Sequence, residues 1–422
     1  VETLARTECP SFTTRRARRA ERAGAPHDPI VWAEARGVNV VDVDGNRYVD
    51  MTAGFGVAAI GHAHPRVVAA IEKQSHKLLH ALGDLHPSDV KVALLERLAA
   101  LAPWDEARVV LALGGADAVE AAIKTAMLAT KKPGIVAFEP GYHGLSHGPL
   151  AVSGFSEAFR TPFAAQLNPH VTFVPYPDAK TPVDDAVAAV ERAWPGEGAG
   201  AIFVEPMLGR GGIVVPPRGF LRKLEALAHA RKALLVVDEI FTGFGRTGAR
   251  FRSVADGATP DLICVGKALG GGLPTSALLG RAEVMSAWGD PEGAAIHTGT
   301  FFGHPLGCAA AHASLDVIEG EDLARRSREV GGRFGARLGA LGEDRSIVRE
   351  VRGLGLATGV VLDHGDRCLR VVRRLLERGY LALPAGPDAS VLQIVPPLII
   401  DEALLGAFVD VLAEILVDEV RS

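Results

Sequence analysis

The sequence predicts an α/β fold: a mainly parallel sheet with helices on both faces, closed by a smaller α+β lobe. Three observations predict it. Between about residues 107 and 281, short apolar runs (ARVVLAL, GIVAFEP, VTFVPYP, AGAIFVEP, LLVVDEI, LICVGK) alternate with amphipathic stretches of helical length, as βαβ units do. Two of those runs end in chemistry: LLVV delivers Asp238 and LICV delivers Lys267. Buried strands behave this way when their C-terminal edge opens on a site. After about residue 310, helical periodicity around a few strand-like segments takes over.

Taken in order, residues 1–28 read as a solvated helix or arm lying on a partner subunit. Their arginines come with Glu2, Glu8 and Glu21 and with no apolar signal-peptide core. IVWAEARGVNVVDVDGNRYVDM alternates apolar and polar residues around Asp44-Gly45, a hairpin signal. TAGFGVAAIGHAHP is a glycine-rich loop, and Pro65 opens the amphipathic helix PRVVAAIEKQSHKLL. A helix over 88–102 and the strand ARVVLAL lead to GGADAVEAAIKTAMLAT, a glycine turn running straight into a helix. The strand GIVAFEP ends at GYHG, and 151–170 lack periodicity. TPVDDAVAAVERAW and PRGFLRKLEALAHARK are the helices between the next strands, and ALLGR is a further strand. In the tail, HASLDVIEGEDLARRSREVGGRFGARLGAL reads as one long helix, REVRGLGLATGVVL as strand, and RCLRVVRRLLERG and DEALLGAFVDVLAEIL as helices. The division expected is an arm with part of a small domain (1–60), a large domain (61–309) and a C-terminal small domain (310–422).

Composition narrows the function. Of 422 residues, 48% are apolar, ample for a large core. A net charge of −5 offers no electrostatic footprint for nucleic acid. No apolar run approaches the ~20 residues of a membrane span. Cys9, Cys264, Cys308 and Cys368 form no C-x-x-C pair, which suits reduced thiols and a cytoplasmic location.

Lysine is seldom buried without a reason, so Lys267 at the end of LICV is the odd residue. The glycines ahead of AVEAAIK place free N–H groups at a positive helix end, which suits a phosphate. No nucleotide motif accompanies them. Gly266-Lys267 is followed by Ala268 rather than Ser or Thr, and neither GGADAV nor RGLGLATG has G-x-G-x-x-G spacing. Tyr142 and His143 lie just past a strand end, where an aromatic can stack on a planar ring. His62 and His64 have no acid or cysteine at ligand spacing, so no metal is expected. Each feature has a structural alternative, yet one cofactor explains them together. A neutral lysine forms a Schiff base with an aldehyde, and an opposing acid keeps a pyridine nitrogen protonated. Pyridoxal phosphate requires both.

Over nearly its whole length the chain resembles the class III (ω-) aminotransferases among the fold-type I pyridoxal phosphate enzymes. The resemblance is carried by DVDGNRYVDMTAGFGVAAIGHAHPRV, GGADAVEAAIK, GYHG, EPMLGRGGIVVPPRGFL, VVDEIFTGFGRTG, DLICVGKALGGGLP, HTGTFFGHPLGCAAA, RGLGLATG and LQIVPPLII, in family order. It implies a seven-stranded-type sheet and a homodimer with shared active sites. It further implies amino transfer from a small amine donor to a 2-oxo acid. By position, Lys267 is the Schiff-base lysine and Asp238 the partner of the ring nitrogen. Gly115 and Ala116 offer phosphate-binding amides, Tyr142 stacks on the ring, His143 sits beside it, and Glu205 is the pocket-side acid. Thr300 matches a threonine that reaches the phosphate from the neighbouring subunit. The same fold and cofactor also serve amino-acid or aminolactam racemases and dialkylglycine-type decarboxylases, which the sequence separates poorly.

The departures bear on the substrate. The family's S-G-[ST] is Gly114-Gly115-Ala116 here, so a hydroxyl contact is lost. Phe241 stands where many members have glutamine near the ring's 3-hydroxyl. The arginine that often follows Tyr/Phe-His-Gly is Leu145, and the one that often precedes Pro-Pro-Leu is Gln393. In 4-aminobutyrate- and ornithine-type relatives those arginines grip carboxylates, a bidentate contact that leucine and glutamine cannot make. Their loss also frees Glu205 from its usual arginine, leaving an acid available to a cationic amine, and Phe55 adds an apolar wall. A hydrophobic or polycationic ω-amine is therefore the donor expected. Arg210 is a possible substitute anchor, although a solvent-facing side chain is expected there.

Overall fold

The computed structural model describes residues 2–24, 29–289, 294–343 and 347–421. In chain order its strands are β1 (Trp32–Arg36), β2 (Asn39–Asp42), β3 (Arg47–Asp50), β4 (Ala107–Ala112), β5 (Gly134–Glu139), β6 (Val171–Pro175), β7 (Ala199–Val204), β8 (Leu234–Asp238), β9 (Leu262–Val265), β10 (Ser276–Arg281), β11 (Val348–Leu354), β12 (Ala357–Leu362), β13 (Tyr380–Leu381), β14 (Leu383–Ala385) and β15 (Val391–Ile394).

Connection length decides the topology of the central sheet. Its seven strands are ordered β4-β10-β9-β8-β7-β5-β6. The pairs β5–β6, β5–β7, β7–β8 and β8–β9 are parallel, because helix-length segments separate successive strands. Only the turn 266–275 joins β9 to β10, too short for a helical crossover, and β10 runs antiparallel to both β9 and β4. Parallel strands covered on both faces read as continuous apolar runs; β7 and β9 are buried along their whole length.

The smaller sheets come from both ends of the chain. β1, β2 and β3 form an antiparallel meander, and β13 from the tail pairs in parallel with β3. The β2–β3 turn is the expected Asp44-Gly45 hairpin, organised by Asp42, whose Oδ1 accepts the Asp44 and Asn46 amides at 3.0 and 2.9 Å. β11, β12, β15 and β14 form a second antiparallel sheet.

Three expectations are revised. The long tail helix is two, Pro305–Gly320 and Leu323–Glu343, broken at Asp322, which takes φ 47°. The expected boundary at 309/310 falls inside the first of these. That helix belongs with the large lobe: Ser314 Oγ donates to the Ala268 carbonyl at 2.7 Å, and Arg97 donates to the His312 carbonyl at 3.1 Å. The N-terminal arm is two helices rather than one, Glu2–Thr7 and Pro10–Arg22, with Arg22 Nε 2.7 Å from Asp366 Oδ1 of the same chain.

Candidate active site

The site gathers at the C-terminal ends of neighbouring parallel strands, where open α/β sheets bind ligands. β5 leads to Tyr142 and His143, β7 to Glu205, β8 ends in Asp238, and β9 leads through Gly266 to Lys267. Adjacent strand ends lie about 5 Å apart, so residues remote in sequence meet here.

Lys267 opens a short 3-10 turn, Lys267–Gly270, and adopts φ 43°, an unusual conformation for a long side chain and a mark of a constrained site. Its side chain is half-buried, and Nζ stands 4.8 Å from the centroid of the Phe241 ring. Burial lowers the lysine pKa; the charges of Asp238 and Glu205 oppose this, and those of Arg246 and Arg210 reinforce it. The net shift is downward, which enriches the neutral, nucleophilic amine.

Asp238 is buried, and both carboxylate oxygens are engaged. Oδ2 lies 2.8 Å from His143 Nδ1, and Oδ1 accepts the Ile240 amide at 3.0 Å. Burial works against charging His143, but its hydrogen bond to Asp238 and the fields of Asp238 and Glu205 prevail and raise its pKa. His143 therefore carries positive charge more readily than a free imidazole.

The phosphate-type cradle is the start of helix Gly115–Thr130. The Gly115 and Ala116 amides precede the first intrahelical bond and lie at the positive end of the helix. Gly114 is tied down on both sides: its N–H donates to Asp117 Oδ2 at 2.9 Å, and its carbonyl accepts from Ser276 Oγ at 2.6 Å. A Cβ on Gly115 would lie 2.8 Å from Ile240 Cδ1, so any side chain there would collide with the residue after the Asp238-Glu239 pair. Ile240 thus packs the cradle against the floor. An amide-lined cradle, a lysine biased towards the neutral amine and a buried strand-end acid paired with histidine fit pyridoxal phosphate.

The substrate side is assembled from loops. Glu205 Oε1 and Oε2 accept the amides of Tyr142 and Gly209, each at 2.9 Å. Burial, opposed by the charge of His143, raises its pKa. This differs from the free acid expected to meet a cationic amine: Glu205 is engaged in joining two loops. Gln393, on β15, donates through Nε2 to the Gly209 carbonyl at 3.3 Å. A Cβ on Gly209 would come within 2.8 Å of the Phe241 ring, so Phe241 forms an apolar wall between this loop and Lys267. Arg210 is not solvent-facing as expected. It is half-buried, with its guanidinium carbon 4.4 Å from the Tyr142 ring centroid, 4.8 Å from Phe155 and 5.5 Å from Phe159.

Of the remaining expected residues, Phe55 adjoins Gly56, where a Cβ would lie 3.5 Å from the Phe241 ring and 3.6 Å from Lys267 Cδ. Phe55 and Leu145 are 72% and 49% exposed. Thr300 is exposed and lines a separate small cleft with His80, Lys91 and His304. His62 is held by Asp50 at 2.8 Å, and His64 caps the helix starting at Pro65. The sequence reading passed over Ile240, Ser276 and Arg246. Arg246 is wholly buried, donates to the Leu356 and Pro396 carbonyls at 2.9 and 2.6 Å, and is pushed down to about 9 by burial. It ties the large lobe to the tail. The only trace of it in sequence was its place in TGFGRTG.

A family model described as Aminotransferase class-III matches residues 21–416. An acetylornithine aminotransferase of Methanothermobacter thermautotrophicus is 39% identical, over 92% of this chain and 94% of the relative. A 4-aminobutyrate aminotransferase of Mycobacterium leprae is 33% identical, over 92% of this chain and 91% of the relative. Among solved structures, a PLP-bound amine transaminase from an uncultivated Pseudomonas species superposes with a TM-score of 0.86 at 28% identity, covering 93% of this chain and 95% of the other. The Toxoplasma gondii ornithine aminotransferase, with PLP at partial occupancy, gives 0.85 at 29% identity, covering 99% and 100%. These relatives are named for amino transfer, and the racemase or decarboxylase alternative is not favoured. The chain thus belongs to the class-III aminotransferase family and is a pyridoxal-phosphate-dependent transaminase.

Proposed function

We propose that Lys267 is the amine that holds the cofactor and then moves the substrate proton, with Asp238 and His143 as its charged support. The observation that carries this reading is the constrained, half-buried Lys267 after the end of β9, its pKa lowered chiefly by burial, near the hydrogen-bonded Asp238–His143 pair. When bound, pyridoxal phosphate supplies an aldehyde that captures an amine and a ring that takes up the electrons of the broken C–H bond. The Gly115 and Ala116 amides would hold its phosphate, Asp238 would keep its ring nitrogen protonated, and Tyr142 and Phe241 would bound it with aromatic surface. Lys267 Nζ, once freed by the substrate amine, would be the neutral base that takes the proton from the substrate carbon and delivers it to the carbon on the other side of the amine nitrogen.

The donor we favour is a neutral, hydrophobic amine or ω-amine. Leu145 and Gln393 offer no fork to a donor carboxylate, and the engaged oxygens of Glu205 weaken the case for a polycation. The working assembly is a homodimer with shared sites. It is supported by exposed Phe55, Leu79, Leu82, Leu85 and Phe301, an apolar surface of the kind subunits cover. Thr300 would reach the phosphate of the partner's site. We place the protein in the cytoplasm, with its four cysteines unpaired. No described helix is long and apolar enough to cross a membrane.

The test is Lys267→Ala. The variant should lose the visible absorbance of the lysine-bound cofactor and the half-reaction with any amine; wild-type transfer rates would overturn the assignment. A donor panel ranking 4-aminobutyrate far above neutral amines would reject the donor class.

A further inference from the structure

Four arginines surround the site, and three are committed. Arg246 donates to the Leu356 and Pro396 carbonyls. Arg352 donates through Nε and an Nη to the Gly212 carbonyl and through its other Nη to Glu350. Arg160 donates to the Ser153 carbonyl and pairs with Glu139. Arg210 is different. Among the described residues no carboxylate lies within ion-pair range of it, and its one polar neighbour is the Tyr142 phenol. Its guanidinium is held instead by the rings of Tyr142, Phe155 and Phe159. Ring faces position an arginine cation while leaving most of its N–H edge available.

The backbone that carries Arg210 is held on both sides. Glu205 takes the Gly209 amide at 2.9 Å, Gln393 donates to the Gly209 carbonyl at 3.3 Å, and Gly386 donates to the Arg210 carbonyl at 3.0 Å. The side chain belongs to the site electrostatically, because its charge helps to depress Lys267. Arg15 on the N-terminal helix adds a second positive field near Arg210. The result is a half-buried, pre-oriented cation with no carboxylate paired to it among the described residues; it follows Gly209, whose Cβ would meet the Phe241 ring at 2.8 Å, and that ring lies 4.8 Å from Lys267 Nζ.

The 2-oxo acid acceptor implied by the amino-transfer reading carries a carboxylate next to its reacting carbonyl. A carboxylate entering a partly buried pocket without a hydrogen-bonding cation is strongly disfavoured. Positions 145 and 393, a leucine and a glutamine here, cannot supply that cation. We propose that Arg210 is the specificity-determining anchor for the carboxylate of the 2-oxo acid acceptor. Its aromatic cage replaces the ion pair that would otherwise hold an arginine in place. A neutral amine donor then makes no use of Arg210 and occupies the same pocket along the apolar wall of Phe241. This inference rests on the amino-transfer reading above.

The experiment uses the holoenzyme, with Arg210→Met and Arg210→Lys as variants and thermal melting as the check on folding. Binding of valerate, which has a carboxylate but neither amine nor oxo group, is titrated by calorimetry. Two kinetic constants are measured beside it: the half-reaction rate with a carboxylate-free amine, and KM for a 2-oxo acid. Arg210→Met should weaken valerate binding and raise the acceptor KM by at least about tenfold, with a far smaller drop in the amine half-reaction. Arg210→Lys, a point charge without the fork, should fall between. Unchanged valerate affinity and acceptor KM in Arg210→Met would overturn the proposal. So would an equal fall in both half-reactions, which would make Arg210 a structural strut. A wild-type enzyme inert towards every amine would defeat the amino-transfer reading instead, while the valerate titration would still decide Arg210.

Discussion

The floor of the active site and its mouth are built by different means. Asp238, Lys267 and His143 stand within a few residues of strand ends, and Asp238 and His143 are locked together at 2.8 Å across 95 residues of sequence. The mouth draws Phe55, Leu145, Arg210 and Gln393 from four separate segments, and Phe55 and Leu145 are 72% and 49% exposed in the single chain. A rigid sheet edge holds groups that must not move during proton transfer, whereas loops vary at little cost to the core. Asp238, Lys267 and His143 keep the residue types the resemblance implies, and the departures lie around them, at the Gly114–Ala116 turn, Leu145, Phe241 and Gln393.

The largest effect should come from breaking the floor. Asp238→Ala should slow the single-turnover half-reaction by roughly 10²- to 10⁴-fold, the range of a lost acid–base partner. A change confined to KM would place Asp238 with the mouth instead. Gly115→Val drives a side chain into Ile240, where even the Cβ lies 2.8 Å away. Cofactor retention, followed by equilibrium dialysis, should weaken about tenfold, or roughly 1.4 kcal/mol. Retention at the wild-type level would remove the phosphate from this helix end.

Changes at the mouth should alter choice rather than chemistry. The double variant Leu145→Arg with Gln393→Arg should raise kcat/KM for 4-aminobutyrate by about tenfold through a restored carboxylate fork, leaving the cofactor spectrum unchanged. No gain would mean that these positions do not face the substrate.

The smallest effect sharpens the floor itself. The folded-state pKa of His143 is raised above its ordinary 6.5, so its pairing with Asp238 stabilises the fold fully below that value. The benefit is lost as pH rises through the raised folded value. The stability advantage of the wild type over His143→Gln, read from denaturant melts, should therefore shrink with pH above about 6.5. An advantage that grew with pH would mean that His143 is held neutral.

How much was legible depended on the range of each interaction. The strand runs and Asp238 could be read locally, because burial on both faces of a parallel sheet demands an unbroken apolar run. The break before Asp322 was not singled out, since Gly320 closes the first helix but Gly331, Gly332, Gly335 and Gly339 lie inside the second, so glycine alone did not mark where the chain turns. Arg210 was misdirected for a related reason: an arginine in a loop goes to solvent unless something holds it, and its three aromatic neighbours lie more than 50 residues away in sequence. The same holds for Glu205, whose two backbone partners depend on how two loops meet.

The sequence by itself determined the α/β class, the strand ends that carry the acid and the lysine, and the glycine turn for a phosphate. Each follows from hydrophobic periodicity and backbone geometry within a single element. Tertiary structure alone decided that His143 pairs with Asp238, that Ile240 packs on the cradle, that Glu205 is engaged by amides and that Arg210 lies among three aromatic rings. Those outcomes depend on which segments the sheet order brings together, and that is a property of the folded chain.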